Sequence, residues 1–240
     1  MTLKQSQPTL YLSLPHACSY LPDRKATTLF VDPAYAVNSY LYQELLHIGF
    51  RRSGELIYRP HCESCSACTP VRVPVNQFKP SRSQKRILKK NRDLVVYPGE
   101  PELKTEHFEL YRRYQHHRHT GSSMDDPDPK KYIDFLVGQH LHPVFYEFRL
   151  EQRLLAVAVT DRLPESLSAV YTFFDPEESH RSLGGYAILW QIQEAQRLNI
   201  ESLYLGYWIK QCQKMAYKAD YRPLEAFVGD KWSILAVPDK

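Results

Sequence analysis

The chain has 240 residues, of which 43% are hydrophobic and 24% are charged. These fractions are typical of an ordinary globular protein and exclude a disordered or collagen-like chain. The sequence contains no apolar run of transmembrane length, and residues 1–21 lack the sustained apolar core of a secretory signal. Five cysteines, an odd number, do not suggest a disulfide framework, so we expect reduced thiols and a cytoplasmic protein.

The N-terminal third is predicted to contain short elements. Residues 1–31 are expected to be extended and irregular, because prolines interrupt any helix there. Asp32-Pro33 has the cap-then-proline pattern of a helix start and predicts a helix that runs to about His47. Short apolar runs then predict strands at Phe50–Arg52, Leu56–Arg59 and Val71–Val75.

Three cysteines with two residues between neighbours lie between the second and third of these strands. Cys62, Cys65 and Cys68 can turn around one metal ion, with Cys18 or His61 as the fourth ligand. The alternative is three reduced thiols that only shape a tight loop. Both interpretations remain open from the residues alone, and no obligatory cofactor is predicted.

A basic run follows the cysteine loop. Ser81 predicts the start of a helix, on which the positive charges repeat at i, i+4 spacing. The run contains seven positive and no acidic side chains, namely Lys79, Arg82, Lys85, Arg86, Lys89, Lys90 and Arg92. Removing these seven from the 31 Lys and Arg residues leaves 24 against 27 acidic residues, so the positive charge is concentrated here. A solvated helix face is the alternative, but unpaired like charges favour a nucleic-acid partner. We therefore predict phosphate contacts from Arg82, Lys85, Arg86, Lys89 and Lys90.

Beyond residue 100 the sequence predicts two helices, then three strands, and then alternating helices and strands. Helices are predicted from about Pro101 to the histidines at 116–119 and from Pro129 to Gln139. The following elements are strands Val144–Leu150, Leu154–Thr160 and Leu167–Phe174, helix Leu183–Leu198, strand Leu203–Leu205, helix Gln211–Ala219 and strand Leu224–Val228.

This order of elements resembles the core of the N-acetyltransferase superfamily. We therefore expect an α/β (α+β) fold with an N-acetyltransferase-like mixed sheet flanked by helices. A smaller N-terminal α+β region is expected to precede it, with domains at residues 1–100 and 101–240. In such open sheets the reaction site lies where neighbouring strands splay at their carboxyl ends.

The stretch Arg181–Tyr186 stands where acetyltransferases hold the pyrophosphate of coenzyme A. Tyr186 replaces a small residue and would crowd a pyrophosphate, although a helix N-terminus there still favours an anion. Arg181 is accordingly a candidate tRNA contact, and the backbone around Gly184 is a candidate donor to an oxyanion. A coenzyme A-dependent N-acetyltransferase remains an alternative function.

Longer motifs make the chain similar, over nearly its whole length, to a known family. It resembles the bacterial aspartate/glutamate leucyltransferases, the short branch of the arginyl-tRNA–protein transferase family. Gly185 departs from the pattern, in which a larger residue is expected. The motifs are FVDP (30–33), GFRRSG (49–54), YRPHC with PVRVPV (58–75), FKPSRSQKR (78–86), YTFFDP (171–176), RSLGGYAILWQI (181–192) and YLGYWI with KMAYK (204–218).

The resemblance implies an aminoacyltransferase that moves leucine from leucyl-tRNA to a protein with N-terminal Asp or Glu. Such a transfer marks the acceptor for degradation through the N-end rule. The implied partners are leucyl-tRNA and these acceptor proteins, without a membrane. Related eukaryotic transferases hold an iron–sulfur cluster through cysteines of different spacing, which adds an iron–sulfur cluster to zinc as the metal at Cys62, Cys65, Cys68 and Cys18. A non-enzymatic tRNA-binding zinc-knuckle protein is the alternative from another class.

The chemistry of this transfer points to further residues. The acceptor α-amine has a pKa near ~8, so direct attack on the aminoacyl ester needs little base. The enzyme must orient the amine, stabilise the oxyanion and protonate the ribose oxygen. Candidate catalytic residues are Tyr171, Asp175, Gly184, Tyr207 and Tyr217, although each tyrosine is alternatively a packing residue. Recognition of an acidic side chain requires a fixed cation, for which Arg72, Lys214 and Lys218 are candidates; binding of tRNA phosphates is their alternative role.

Overall fold

A small antiparallel sheet and one helix form the N-terminal part of the computed structural model, which describes residues 8–121, 125, 128–138 and 141–236. Its elements are β1 (Leu10–Leu12), β2 (His16–Ala17), β3 (Lys25–Ala26), β4 (Thr28–Val31), α1 (Ser39–His47), β5 (Arg51–Ser53) and β6 (Leu56–Pro60). Four strands pair in the order β1-β4-β6-β5, while β2 and β3 form a separate two-stranded sheet. Leu45 and Leu46 of α1 pack with Val31 and Ile57 of the small sheet.

Helix α1 begins at Ser39, so its predicted start after Asp32-Pro33 is wrong. The Asp32 carboxylate accepts a hydrogen bond from the Ala34 amide at 2.9 Å and thereby closes a local turn. The N-cap is instead Asn38, whose side chain accepts from the Leu41 amide at 2.9 Å. Asp can cap a helix or close such a turn with the same oxygen, so its identity did not decide between them.

The remaining elements build one large sheet and its covering helices. They are β7 (Thr69–Pro74), α2 (Arg82–Lys90), β8 (Val95–Gly99), α3 (Thr105–His119), α4 (Pro129–Tyr132), β9 (Val144–Leu150), β10 (Arg153–Arg162), β11 (Ser166–Phe174), α5 (Leu183–Arg197), β12 (Ser202–Trp208), α6 (Gln213–Ala216), β13 (Glu225–Val228) and β14 (Lys231–Ile234). Short 3-10 turns occupy Val75–Gln77, Pro176–Arg181 and Tyr217–Asp220, and a π-helical turn at Ile133–Val137 continues α4. The eight strands lie in the order β14-β13-β7-β12-β11-β10-β9-β8.

Helices cover both faces of the large sheet because its central strands are apolar on both sides. On one face Leu189 of α5 packs with Val73 of β7 and Leu203 of β12. On the other face Tyr111 of α3 packs with Phe173 of β11. The basic helix α2 lies on the outer side of α5, against which Ile87 and Leu88 pack. The predicted mixed sheet flanked by helices is therefore confirmed.

The sheet opens between β11 and β12, its one parallel pair. These strands pair only from Ser166–Ser168 to Ser202–Tyr204 and then diverge. Beyond this point β12 contains an irregularity at Gly206, where its register with β7 shifts. We call the opening between the diverging ends of β11 and β12 the splay cleft. It is the place where this fold class is expected to hold its reaction site.

The two parts of the chain are joined through shared strands and one buried ion pair. Strands β7 and β8 precede residue 100 but belong to the eight-stranded sheet. Arg52 of β5 and Asp161 of β10 form a salt bridge at 2.6 Å, and each side chain is only 2% exposed. The predicted domain boundary at residue 100 does not coincide with an edge of the large sheet in the sequence, and it stays a prediction. Among the helices described, none has the length and apolar character needed to cross a membrane.

Candidate functional site

Arg51 of β5 reaches into the splay cleft from the N-terminal sheet. Its Nη2 donates a long hydrogen bond to the Val170 carbonyl of β11 at 3.4 Å. Its guanidinium carbon lies 5.9 Å from the centre of the Tyr207 ring of β12. The guanidinium thus touches both strands that border the cleft. Its Nε is buried and has no hydrogen-bond partner among the described residues.

Gly206 provides the room for this guanidinium. Its φ is +75°, a conformation that glycine adopts without the steric cost that other residues incur. A Cβ at this position would overlap Nη1 of Arg51 and lie 2.8 Å from its Cζ. A glycine inside a strand often marks a bulge or the close approach of another group, and both apply here. The bulge in β12 and the position of Arg51 therefore depend on the same residue.

Lys218 is a second buried cation beside the cleft. Its side chain is buried, with 4% of the residue exposed, and its Nζ donates to the Tyr207 carbonyl at 2.6 Å. Burial, followed by the positive charge of Arg51, lowers the pKa of Lys218 well below its ordinary value. Because an arginine stays protonated in proteins, any loss of charge in this region falls on Lys218. Arg51 is consequently the fixed cation of the site.

A larger cavity is lined by Tyr58, whose ring packs against that of Tyr207 in the splay cleft. The Tyr207 hydroxyl lies 3.0 Å from the Gly49 carbonyl and 3.1 Å from the Tyr58 carbonyl, and the two tyrosine rings are 6.2 Å apart. The larger cavity has a volume of about 670 Å³. We call it the cysteine cavity, because its lining includes Tyr20, Tyr58, Cys18, Cys62, Cys65 and Cys68. A space of this size can hold a small ligand.

The cysteine cavity brings Cys18 together with the three cysteines of the loop. All five cysteines of the chain are free thiols. Burial, followed by the neighbouring thiols, raises the pKa of Cys68 to about 12. Such a set of sulfur donors suits zinc or an iron–sulfur cluster. Within the described part of the chain, however, no three His, Cys, Asp or Glu side chains are arranged to hold a metal ion.

The predicted phosphate contacts lie on the exposed side of α2. Ser81 and Gln84 form a capping box at its start, which confirms the predicted helix start. Arg82, Lys85, Arg86 and Lys89 are exposed. Lys90 is also exposed, but its Nζ donates to the His180 carbonyl at 2.5 Å and ties α2 to the turn before α5. This face is the candidate nucleic-acid surface.

The start of α5 is less open than the sequence pattern suggests. Arg181 forms two hydrogen bonds of 3.0 Å to Asp93 and a third of 3.2 Å to Glu178, so carboxylates already neutralise this predicted tRNA contact. Gly184 lies against the Phe174 ring, which would be 3.1 Å from an added Cβ. Tyr186 is buried, and its ring packs on Phe148 at 5.6 Å.

Of the other predicted catalytic side chains, Tyr171 and Asp175 have structural partners and Tyr217 is exposed. The Tyr171 hydroxyl donates to Gln115 Oε1 at 3.3 Å on the α3 side of the sheet, and burial raises its pKa. Asp175 is 3% exposed and accepts from Arg153 at 2.8 Å. Tyr217 is 45% exposed. None of these contacts tests a catalytic role, which stays a prediction for all of them.

Arg72 and Lys214 differ sharply in their surroundings. Arg72 Nε donates to Glu225 at 2.6 Å, and its guanidinium lies 4.5 Å from the Trp232 ring centre. This pairing leaves little free charge for a substrate carboxylate. Lys214 lies in α6 and is exposed. Among the predicted acceptor-binding cations, Lys218 is the one that the structure brings beside the splay cleft.

Sequence reasoning did not single out Arg51. It lies within the motif GFRRSG, but two adjacent arginines gave no basis for assigning different roles. The available signal was Gly206 inside an otherwise apolar strand, since such a glycine often marks the close approach of another group.

Comparison with known proteins agrees with this architecture. Residues 16–86 match the model for the N terminus of arginine-tRNA-protein transferases, and residues 106–228 match the model for the C terminus. The chain belongs to the arginine-tRNA-protein transferase family. The predicted family and the assignment as a transferase are thereby confirmed.

Individual members of the family are similar over almost the whole chain. The aspartate/glutamate leucyltransferase of Pseudomonas fluorescens Pf0-1 is 55% identical over 94% of this chain and 96% of its own. That of Pseudomonas putida KT2440 is 54% identical over the same shares. Outside the family, the C-terminal domain of a protein assigned as a lysylphosphatidylglycerol synthetase from Agrobacterium fabrum has a TM-score of 0.46 and 14% identity. That match covers 73% of this chain and 54% of the other.

Proposed function

We propose that this protein transfers leucine from leucyl-tRNA to the N-terminal Asp or Glu of acceptor proteins and so marks them for degradation by the N-end rule. Membership of the family supports the tRNA-dependent transfer, and the names of the similar Pseudomonas proteins support leucine and acidic acceptors. The structural observation that carries the proposal is the exposed basic face of α2, tied to the turn that leads into α5. Phosphates bound to this face would lie next to the turn that leads into α5.

The reaction requires one bond to form and one to break. The acceptor α-amine attacks the carbonyl carbon of the leucyl ester, and the resulting tetrahedral intermediate carries an oxyanion. Its collapse breaks the bond to the ribose oxygen, which takes the proton released by the amine. The N-terminal turn of α5 supplies backbone N–H groups around Gly184 that can stabilise negative charge. A positioned acceptor and such donors are sufficient for a substrate that is already activated.

The direct test is transfer of labelled leucine from leucyl-tRNA to peptides that differ only in their first residue. Peptides that begin with Asp or Glu should be labelled, and the matched peptide with Ala should not. Labelled arginyl-tRNA and acetyl-coenzyme A serve as competing donors in parallel reactions. Transfer from arginyl-tRNA alone would overturn the choice of leucine. Acetylation of the peptides would overturn tRNA-dependent transfer in favour of the acetyltransferase alternative.

The proposal extends to a metal in the cysteine cavity and to the cytoplasm as the location. Four of the five cysteines line this one cavity, and their thiols are donors of the kind that bind zinc or an iron–sulfur cluster, although no three of them are arranged around one point in the described residues. A bound metal would hold the Cys18 segment against the loop at Cys62–Cys68. No step of leucine transfer is assigned to it. Free thiols and a tRNA substrate both fit the cytoplasm.

A further inference from the structure

Strands β5 and β7 carry three buried or half-buried arginines, and these differ in whether a carboxylate pairs with them. Arg52 is paired with Asp161 at 2.6 Å, and Arg72 is paired with Glu225 at 2.6 Å. Arg51, the neighbour of Arg52, has no such partner. Among the described residues, no carboxylate lies within salt-bridge distance of its guanidinium, and no atom accepts a hydrogen bond from its Nε. The side chains that interact with it electrostatically are those of Tyr58, Tyr207, Tyr42 and Tyr20.

An unpaired guanidinium in such a place is unfavourable for folding. A buried charge is normally paired or hydrogen-bonded, because removal from water without compensation is costly. Lys218 adds a second basic group and not a counter-charge. The charge of Arg51 therefore leaves the region with positive charge that the described residues do not neutralise. An anionic ligand would supply the missing charge.

The position and shape of Arg51 define which anion fits. The guanidinium spans the splay cleft from Val170 to Tyr207, in the part of the fold where acyl transfer is expected. Gly206 keeps this position clear. The unsatisfied Nε belongs to the planar edge of the guanidinium that can hold both oxygens of a carboxylate. A carboxylate held there would lie in the splay cleft, where this fold class is expected to hold its reaction site.

We propose that Arg51 binds the side-chain carboxylate of the acceptor's N-terminal Asp or Glu and thereby sets acceptor specificity. This inference rests on the proposed function, since it assigns one of its two substrates to a residue. It also explains why a half-buried cation without an ion-pair partner among the described residues is kept next to the cleft. Lys218, whose Nζ donates to the Tyr207 carbonyl at 2.6 Å, brings no negative charge that would compete with the carboxylate.

The test compares Asp with Asn and Glu with Gln, because each pair has nearly the same shape and differs in charge. We expect Arg51→Gln to lower kcat/KM for Asp and Glu peptides by about 10- to 100-fold, the range for removal of one charge-assisted hydrogen bond. Asn and Gln peptides should change by less than about threefold, since they never used the charge. The selectivity of the protein for acidic acceptors should therefore collapse. Arg51→Lys, which keeps the charge without the planar edge, should fall between the two proteins.

Arg59→Gln is the matched control. Arg59 lies on the neighbouring strand β6 and donates to the Ile48 carbonyl at 3.0 Å, outside the cleft. Its removal should leave acceptor selectivity unchanged. Arg51→Gln should melt close to the temperature of the unmodified protein, because Arg51 is half-buried, forms no ion pair with a described residue and loses only one long hydrogen bond to Val170. Equal losses for Asp and Asn peptides would overturn the proposal and assign Arg51 to the oxyanion or to the fold, and unaltered selectivity would also overturn it.

A binding measurement separates this proposal from the proposed function. Calorimetry without any tRNA should detect the Asp peptide with the unmodified protein and fail to detect it with Arg51→Gln. If no leucine is transferred but this difference in binding is present, the leucyltransferase proposal fails and the role of Arg51 stands. If leucine is transferred and Arg51→Gln still prefers Asp over Asn, the role of Arg51 fails and the transferase proposal stands.

Discussion

Replacing Gly206 with alanine tests whether the bulge in β12 exists to seat Arg51. Two separate effects are expected from the structure. At a φ of +75° an alanine is disfavoured by about 1–2 kcal/mol relative to glycine. In addition, its Cβ would overlap Nη1 of Arg51 and lie 2.8 Å from Cζ, so the guanidinium must leave its position. The first effect lowers the free energy of unfolding, and the second changes acceptor recognition.

The functional loss can be estimated from the hydrogen bond that Arg51 would make. A hydrogen bond to a charged group contributes about 1.5–3 kcal/mol. At about 1.4 kcal/mol per tenfold change, its removal lowers kcat/KM for an Asp peptide by about 10- to 100-fold. An Asn peptide should be affected little. Gly206→Ala should therefore reproduce most of the selectivity loss of Arg51→Gln without touching the arginine itself.

A double-mutant cycle is the decisive assay. Unfolding by urea and leucine transfer to Asp and Asn peptides are measured for Gly206→Ala, Arg51→Gln and the double variant. Once Arg51 is absent, Gly206→Ala should cost only backbone strain and no further selectivity. Gly121→Ala is the matched control, since Gly121 has the same φ of +75° and no atom within 4 Å of an added Cβ. The reasoning is refuted if Gly206→Ala keeps full selectivity or if the two selectivity losses simply add.

Three further predictions concern the basic helix, the cysteine cavity and acid stability. The first variant replaces Arg82, Lys85 and Arg86 with alanine, and its affinity for tRNA is measured at several salt concentrations. The slope of log affinity against log salt concentration should flatten by about 0.7–0.9 for each phosphate-binding side chain removed. An unchanged slope would contradict binding of tRNA through α2. Elemental analysis of protein purified without added metal should find either about one equivalent of zinc or the iron of one cluster per chain. The control variant Cys212→Ser should retain this metal. Metal-free protein with full activity would contradict a bound metal and assign the thiols a purely structural role. Burial alone would raise the pKa of Glu147, but hydrogen bonds from Arg149 and Lys104 and the charge of His107 hold it at about 2, below its ordinary 4.5. Because the carboxylate has the lower pKa in the folded state, its contribution to the free energy of unfolding is present above pH 4.5 and is lost as the pH falls toward 2. Glu147→Gln should therefore make the free energy of unfolding depend less on pH between these values. An unchanged pH profile would contradict the assignment to Glu147.

Local patterns were enough to place most helices and strands. Strand β9 lies at Val144–Leu150 as predicted, and α5 at Leu183–Arg197 ends one residue earlier than predicted. The helix start at Ser81 could also be predicted from the sequence, because a capping box depends on residues only three positions apart. Strands β8 and β14 were missed; both are short edge strands whose pattern is weak.

The sequence also identified the chemistry-bearing stretches without arranging them in space. It marked the basic run as a phosphate surface, and α2 presents those side chains to solvent. It treated Arg181 as a free cation, whereas Asp93, distant along the chain, pairs with it. It considered Cys18 as a partner of the cysteine loop, and the two do line one cavity.

The decisive difference between Arg51 and Arg52 exists only in the tertiary structure. Neighbouring residues of a strand point to opposite sides, so the sequence predicts that the two arginines face different surroundings. It cannot say which side holds a carboxylate, because Asp161 is 109 residues away and meets Arg52 only after β5 has packed against β10. Gly206 reaches Arg51 through the same long-range packing. Local periodicity thus determined which residues share a face, whereas pairing over long separations decided which arginine was neutralised and which was left for a ligand.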